Sequence, residues 1–257
     1  MSPVREPLPT RVMDTPALPA SYDAAVAAGL AQLGIDLEPA GRAAIDGHIR
    51  LLLAWTTSIN LTAIREPRAV AIGHVLDSLS AVPTMRALGA SRFLDLGSGG
   101  GIPGIPLAAA LPSDAALLVE PIAKKARFLQ TALAATGLDS RVGVASSRGE
   151  GLAADPDHRG AWPAVTARAV ARLDELVELA FPLLARGGSL VAWKRGDIEH
   201  ELRAGARAVA ALGGGEMWVV AVDVAGLPGH CLVVATRTGQ VPDGFPRDPA
   251  TRRRRPL

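Results

Sequence analysis

Apolar residues along the chain follow two different rhythms. From Ser21 to Ala90 they recur at helical spacing: in "AAIDGHIRLLLAW", Ile45, Ile49, Leu52 and Leu53 fall on one face. After Arg92 short strand-like runs alternate with helical ones: "RFLDL", "AALLVE", "RVGVA", "PAVTA", "SLVAW", "MWVVAVDV" and "HCLVVATR". This alternation predicts an α/β fold, a mainly parallel sheet with helices on both faces, behind a helical front section. Between the second and third runs, Ile122, Ala126, Leu129 and Leu133 form one stripe, and Gly137 suits a left-handed helix C-cap. The last two runs are joined by the turn-rich "AGLPGH", so they are expected to pair antiparallel. No internal repeat or heptad run is present.

Composition narrows this picture. At 257 residues, 49% of them apolar, the chain has room for one sizeable core and an appendage. Its single cysteine, Cys231, has no internal disulfide partner, which points to a compartment with reduced thiols, the cytoplasm. No apolar run is long enough for a membrane helix, and the Pro-rich, charged opening "MSPVREPLPTRVMDTPALPA" lacks a signal-peptide core. Net charge is +2, yet Arg252, Arg253, Arg254 and Arg255 stand in one run, leaving the rest slightly acidic. That is not the balance of a strongly basic nucleic-acid coat, and the arginine run reads first as a solvated end. The expected organisation is a loose tail over 1–20, a helical extension over 21–90, a ligand-binding domain over 91–238 and a basic tail over 239–257. Without a long exposed apolar helix, a monomer is expected.

The densest chemical signal is "FLDLGSGGGIPGIPLA", residues 93–108, a strand opening through a glycine-rich turn into a helix. Gly99, Gly101 and Gly104 literally satisfy G-x-G-x-x-G, the dinucleotide fingerprint, but the triplet starts too late after the strand. Asp95 at the mouth of the turn would repel a pyrophosphate and suit a ligand carrying an ammonium and a sulfonium, as S-adenosylmethionine (SAM) does. Glu120, 25 residues on, ends the second strand, where an acid can accept two ribose hydroxyls. No G-x-x-x-x-G-K-[ST] is present, which excludes a P-loop. Pro103 fits the first turn of the following helix.

Six segments occur in one order: "NLTAI" (60–64), "HVLDSL" (74–79), "DLGSGGGIPGIPLA" (95–108), "KKARFL" (124–129), "TARAVARLDEL" (166–176) and "LLARGGSLVAWKRG" (183–196). Together, over roughly residues 21–237, they resemble the RsmG (GidB) family of bacterial small-subunit rRNA guanine-N7 methyltransferases. The resemblance implies a class I SAM-dependent methyltransferase, Rossmann-like, with a seven-stranded, mainly parallel sheet, an antiparallel last strand and a small helical N-terminal extension. It implies SAM contacts at Gly97 and Ile102 in the loop, at Arg148, Gly149 and Glu150 after the third strand, and at Arg168 after the fourth. With Asp95, Gly99, Gly101 and Glu120 these make the expected cofactor set. Gly149 departs from a usual alanine, Pro163 from a usual aspartate, and Pro121 from a small polar residue.

Arg168 and Lys194 sit at strand ends on the side where α/β sheets bind ligands and are the candidates for holding RNA near a transferable methyl group. Trp193 offers a stacking face or a core residue. Asn60, His74 and Asp77 are substrate-side candidates; the three-residue spacing of His74 and Asp77 suggests a mutual hydrogen bond on a helix. Guanine N7 carries a lone pair and no proton, so no general base is expected. His48, His158, His200 and His230 show no metal-ligand spacing with Cys231 and are assigned no role. Lys124, Lys125 and Arg127 read as a solvated helix face. The implied partner is 16S rRNA or the small ribosomal subunit. An NAD-linked oxidoreductase and a non-catalytic SAM- or RNA-binding module remain as alternatives.

Overall fold

The structure is a computed structural model that describes residues 7–111 and 115–257. Its centre is a seven-stranded sheet of β1 (Arg92–Leu96), β2 (Ala115–Val119), β3 (Val142–Ala145), β4 (Trp162–Arg168), β5 (Leu184–Arg195), β6 (Gly214–Ala221) and β7 (His230–Arg237). The spatial order is β3-β2-β1-β4-β5-β7-β6. The first five strands pair parallel, and β7 is inserted antiparallel to both β5 and β6. The turn-rich link between the last two runs therefore forms the expected hairpin. Pro163 offers no N–H to the ladder, and the register between β4 and β5 shifts between Trp162 and Ala164.

Alternate strand residues divide the interior into two cores. Phe93, Ala116, Leu118, Ala164 and Val191 face the helical front section together with α6 (Gly104–Ala110) and α7 (Ala123–Thr136). That section consists of α1 (Ala20–Leu33), α2 (Pro39–Trp55), α3 (Pro67–Val70), α4 (Asp77–Leu79) and α5 (Val82–Ala87). Leu94, Leu96, Val165, Leu190 and Ala192 face α8 (Gly149–Ala154), α9 (Leu173–Ala180) and α10 (Glu199–Ala211). Front section and sheet thus share one hydrophobic core. Helix α7 ends as its sequence indicates, at Gly137 with φ 70°. Pro103 lies at the N-cap of α6, one position before the first turn.

Both ends of the chain depart from expectation. Residues 1–6 lie outside the described residues, but residues 7–19 are not a loose tail. They run along α2, with Trp55 Nε1 donating to the Pro9 carbonyl at 2.7 Å and Arg50 donating to the carbonyls of Thr15 and Pro16. At the other end, Pro249–Arg254 forms α11, fastened to α8 and α9 through the buried Arg252, while Arg253, Arg254 and Arg255 are exposed. Composition predicts solvation where partners are unknown; here the half-buried Glu150 and Glu175 supply partners for Arg252.

Candidate functional site

The glycine loop after β1 owes its shape to left-handed backbone. Gly97, Gly99 and Gly101 have φ of 72°, 55° and 81°, a region that side chains disfavour. A Cβ at Gly97 would lie 2.8 Å from Val170 Cγ2, so the bare position also keeps a gap open. The loop's amides are not an anion cradle. Gly97 and Ser98 N–H both donate to the Val119 carbonyl, Gly101 N–H donates to the Ser98 carbonyl, and Gly99 N–H donates to Glu120 Oε2 at 2.9 Å. A pyrophosphate would find these donors occupied and a buried carboxylate beside them, which removes the physical basis of the dinucleotide alternative.

That carboxylate is Asp95, fully buried on β1 between Leu118 and Thr166. Oδ1 accepts from Thr166 Oγ1 at 2.8 Å, while Oδ2 is buried without a partner among the described residues. Burial pushes its pKa up to about 6, against the pull of Thr166, Ser98, Arg168 and the nearby Gly104 amide. Glu120 is held at the end of β2 by two amides, Gly99 N–H on Oε2 and Ile122 N–H on Oε1. Each oxygen keeps a further lone pair for hydroxyl donors. Beside it Ile122, at the N-cap of α7, is 44% exposed, apart from the buried Ala126, Leu129 and Leu133 of the stripe to which its spacing assigns it. An orphaned acid, a bare glycine floor and a pre-aligned hydroxyl acceptor fit a ligand carrying positive charge, vicinal hydroxyls and an aromatic base.

Of the other expected cofactor residues, Ile102 is buried behind the loop and Gly149 is buried at the start of α8, where a Cβ would meet Leu96 Cδ1 at 2.9 Å. Arg148 is the exposed N-cap of α8. The Glu150 carboxylate is engaged by Arg252 of α11, which holds its pKa below the ordinary range despite the opposing effect of burial.

Next to the loop lies a cleft of about 790 Å³, lined among others by His74, Asp77, Arg168, Val170, Lys194 and His230. Arg168 Nη1 donates to Asp77 Oδ2 at 2.7 Å and to the Gly73 carbonyl at 2.8 Å. Asp77 Oδ1 accepts from His230 Nδ1 at 2.9 Å, and the Asp77 carbonyl accepts from Trp193 Nε1 at 2.7 Å. His74 Nε2 meets Thr62 Oγ1 at 2.6 Å, and its Nδ1 lies 3.3 Å from Arg168 Nη2. Burial, reinforced by Arg168, lowers the His74 pKa to about 4. Ala169, next in the chain, has φ 57°, the sole non-glycine residue with positive φ among those described. Strain of this kind concentrates where surrounding structure fixes a functional wall.

These contacts correct several sequence expectations. His74 and Asp77 do not bond each other. Residues Ala71–Leu76 form a π-helical turn, which displaces the α-helical spacing, and both side chains converge on Arg168 instead. Asn60 is exposed and outside the cleft lining, whereas its neighbour Thr62 makes the contact to His74. Lys194 lines the cleft with its ammonium engaged by Glu201 Oε2 at 2.6 Å and the Ala171 carbonyl at 3.0 Å. Trp193 is buried, so the stacking option gives way to a core role with a bonded indole. His230 and His48, assigned no role from spacing, both have one. His48 Nε2 donates to the Gly100 carbonyl at 2.7 Å and ties α2 to the glycine loop. Their partners lie far off in sequence, so no local pattern reveals them.

Known proteins give the same picture. The family model described as GidB, rRNA small subunit methyltransferase G, matches residues 42–232. The ribosomal RNA small subunit methyltransferase G of Dehalococcoides mccartyi is 40% identical over 220 residues, covering 85% of this chain and 93% of that protein. The protein of the same description from Rubrobacter xylanophilus is 41% identical over 211 residues, 80% of each chain. Among solved structures, an O-methyltransferase from Bacillus cereus in complex with SAH aligns with TM-score 0.55 at 12% identity, covering 80% of this chain and 94% of that one. Geranyl diphosphate C-methyltransferase from Streptomyces coelicolor aligns with TM-score 0.51 at 17% identity, covering 70% and 86%. The likeness to these two lies in the fold.

Proposed function

Since this chain belongs to the rRNA small subunit methyltransferase G family, we propose that it transfers a methyl group from SAM to N7 of a guanosine in 16S rRNA. The observation that carries this reading is Val170, which closes over Gly97 of the glycine loop and also lines the cleft. Donor site and acceptor site thereby share one wall.

Bound SAM supplies an electrophilic methyl group on a sulfonium centre. Asp95, fully buried behind the glycine loop, offers the cation a negative charge, and Glu120 accepts from the ribose hydroxyls in an orientation fixed by two amides. Gly97, Gly99, Gly101 and Ile102 shape the floor, and Gly149 and Glu150 border it at α8. Arg168, held by Asp77 and the Gly73 carbonyl, presents a fixed cation to the cleft. His74, Asp77 and His230 build the wall that orients the base, and Lys194 closes the far side. Asn60, exposed before that wall, belongs to the approach of the RNA. Guanine N7 needs no deprotonation, so these residues act by orientation and charge, and a near-attack approach of about 3 to 3.5 Å supplies much of the rate.

The reading extends to a monomer working in the cytoplasm, where the free thiol of Cys231 stays reduced. It places the methyltransferase domain over 91–238, the helical extension over 21–90, and short flanking segments on either side. Incubation with labelled SAM and protein-free 16S rRNA or small-subunit particles tests it: label in the RNA, lost in Gly97→Arg, supports the reading. Label in neither substrate contradicts it and favours the non-catalytic module.

A further inference from the structure

Residues 247–255 form a fastened knot beyond the span matched by the family model. Arg247 grips the buried Glu178 three times: its amide and Nε donate to Oε1 at 2.8 and 2.9 Å, and Nη2 donates to Oε2 at 2.5 Å. Its Nη1 reaches forward to the Arg255 carbonyl at 3.0 Å. Arg252, only 6% exposed, bridges Glu150 of α8 and Glu175 of α9 and returns to the Arg247 carbonyl. Asp248 caps α11 by accepting from the amides of Ala250 and Thr251.

This arrangement separates the arginines into two groups. Arg247 and Arg252 consume the nearby glutamates, whereas Arg253, Arg254 and Arg255 are exposed with no ion pair among the described residues. Arg253 and Arg172 line a common cleft of about 400 Å³. Arg172 is 60% exposed, loosely paired with Asp174 at 3.5 Å, and follows Arg168 of the main cleft by four residues. The same cleft carries Asp174, Glu175 and Glu178, which pair with Arg172, Arg252 and Arg247 in that order, so Arg253 is the arginine of its lining left without an ion pair among the described residues. Each exposed guanidinium is a planar fork of donors suited to phosphate oxygens.

Resting on the methyltransferase reading, we infer that residues 247–255 are a docked RNA-binding arm: Arg247 and Arg252 fasten it, and Arg253, Arg254 and Arg255 contact the phosphate backbone of the rRNA substrate outside the reacting nucleotide. Docking matters because a held cation loses less freedom on binding than one on a loose chain.

The test uses the full-length protein. Binding to protein-free 16S rRNA is measured across a salt series for the wild type, for the triple variant Arg253→Gln, Arg254→Gln, Arg255→Gln, and for Glu175→Gln with Glu178→Gln, alongside SAM calorimetry and thermal melting. Each lost phosphate contact lowers the slope of log K against log salt by about 0.7 to 0.9, so the triple variant is expected to lose about 2 units of slope. SAM affinity is expected to stay within about twofold. The glutamine pair, which keeps all three arginines but loosens the arm by removing the Arg247–Glu178 and Arg252–Glu175 pairs while Arg252–Glu150 remains, is expected to weaken RNA binding while the fold still melts cooperatively. Unchanged slope and affinity in the triple variant, with SAM binding intact, would overturn the arm. A loss in the triple variant with none in the loosened arm would overturn the docking. Wild-type protein that binds and methylates no rRNA would remove the functional reading itself, a result distinct from either.

Discussion

Asp77 and Arg168 stand 91 positions apart, yet Arg168 Nη1 donates to Asp77 Oδ2 at 2.7 Å, joining the helical front section to the end of β4. The same carboxylate holds His230 from β7, so one acid fixes two side chains of the cleft wall. Asp77→Asn keeps the shape and removes the charge. Breaking a buried ion pair from one side costs about 3 kcal/mol, and the orphaned Arg168 loses its fixed direction. Turnover on rRNA is expected to fall about a hundredfold or more with SAM affinity little changed, measured by single-turnover assay and calorimetry. His230→Ala is expected to act in the same sense, more weakly. SAM affinity falling in parallel with turnover would contradict the assignment of this cluster to the RNA side.

At Gly97 the expected effect is the reverse. Gly97→Ala places a Cβ 2.8 Å from Val170 Cγ2 at φ 72°, and the left-handed backbone alone costs about 1 kcal/mol. Calorimetry is expected to show SAM binding weakened about tenfold or more in a protein that still melts cooperatively.

The Asp95 pKa of about 6, raised by burial from 3.8, gives a pH dependence with a definite sign. Burial favours the protonated acid relative to the unfolded chain, so its contribution to stability is present below the unfolded value and is lost as pH rises through about 6. A cationic ligand favours the carboxylate instead, so SAM affinity is expected to tighten with pH through that value, releasing a proton. One pKa unit corresponds to a tenfold change, so a gain of about tenfold between roughly pH 5 and 7 is expected. Asp95→Asn should flatten the profile in calorimetry; an unchanged profile would place the titrating group elsewhere.

His48 and His74 act oppositely on stability. Burial lowers both to about 4 from 6.5. Their contribution is present above the unfolded value and is lost as pH falls toward about 4. His48→Leu would also leave the buried Gly100 carbonyl unpaired, at a cost of about 1 to 3 kcal/mol, and should blunt the acid-side decline in denaturant melts.

Much of the fold was legible because it rests on local pattern. Strand runs such as "RFLDL" and "SLVAW" alternate with helical stripes, Gly137 marks a C-cap, and "AGLPGH" is a turn. The loop was legible too, since Gly97, Gly99 and Gly101 adopt backbone that only glycine readily takes. The cleft wall was not. His230 and His48 are defined by partners 153 and 52 positions away, and Arg247 by Glu178, 69 positions earlier. The His74 to Asp77 spacing misled because it presumes an α-helix where the chain makes a π turn and a distant arginine offers the stronger charge.

Methyl transfer to guanine N7 leaves a base that chemical cleavage detects. Small-subunit particles and protein-free 16S rRNA are treated with the protein and SAM, and the RNA is then cleaved at N7-methylguanosine by borohydride and aniline. A single new cleavage site, absent with Gly97→Arg, is the predicted result. Methyl label incorporated into the RNA without cleavage would contradict the N7 assignment.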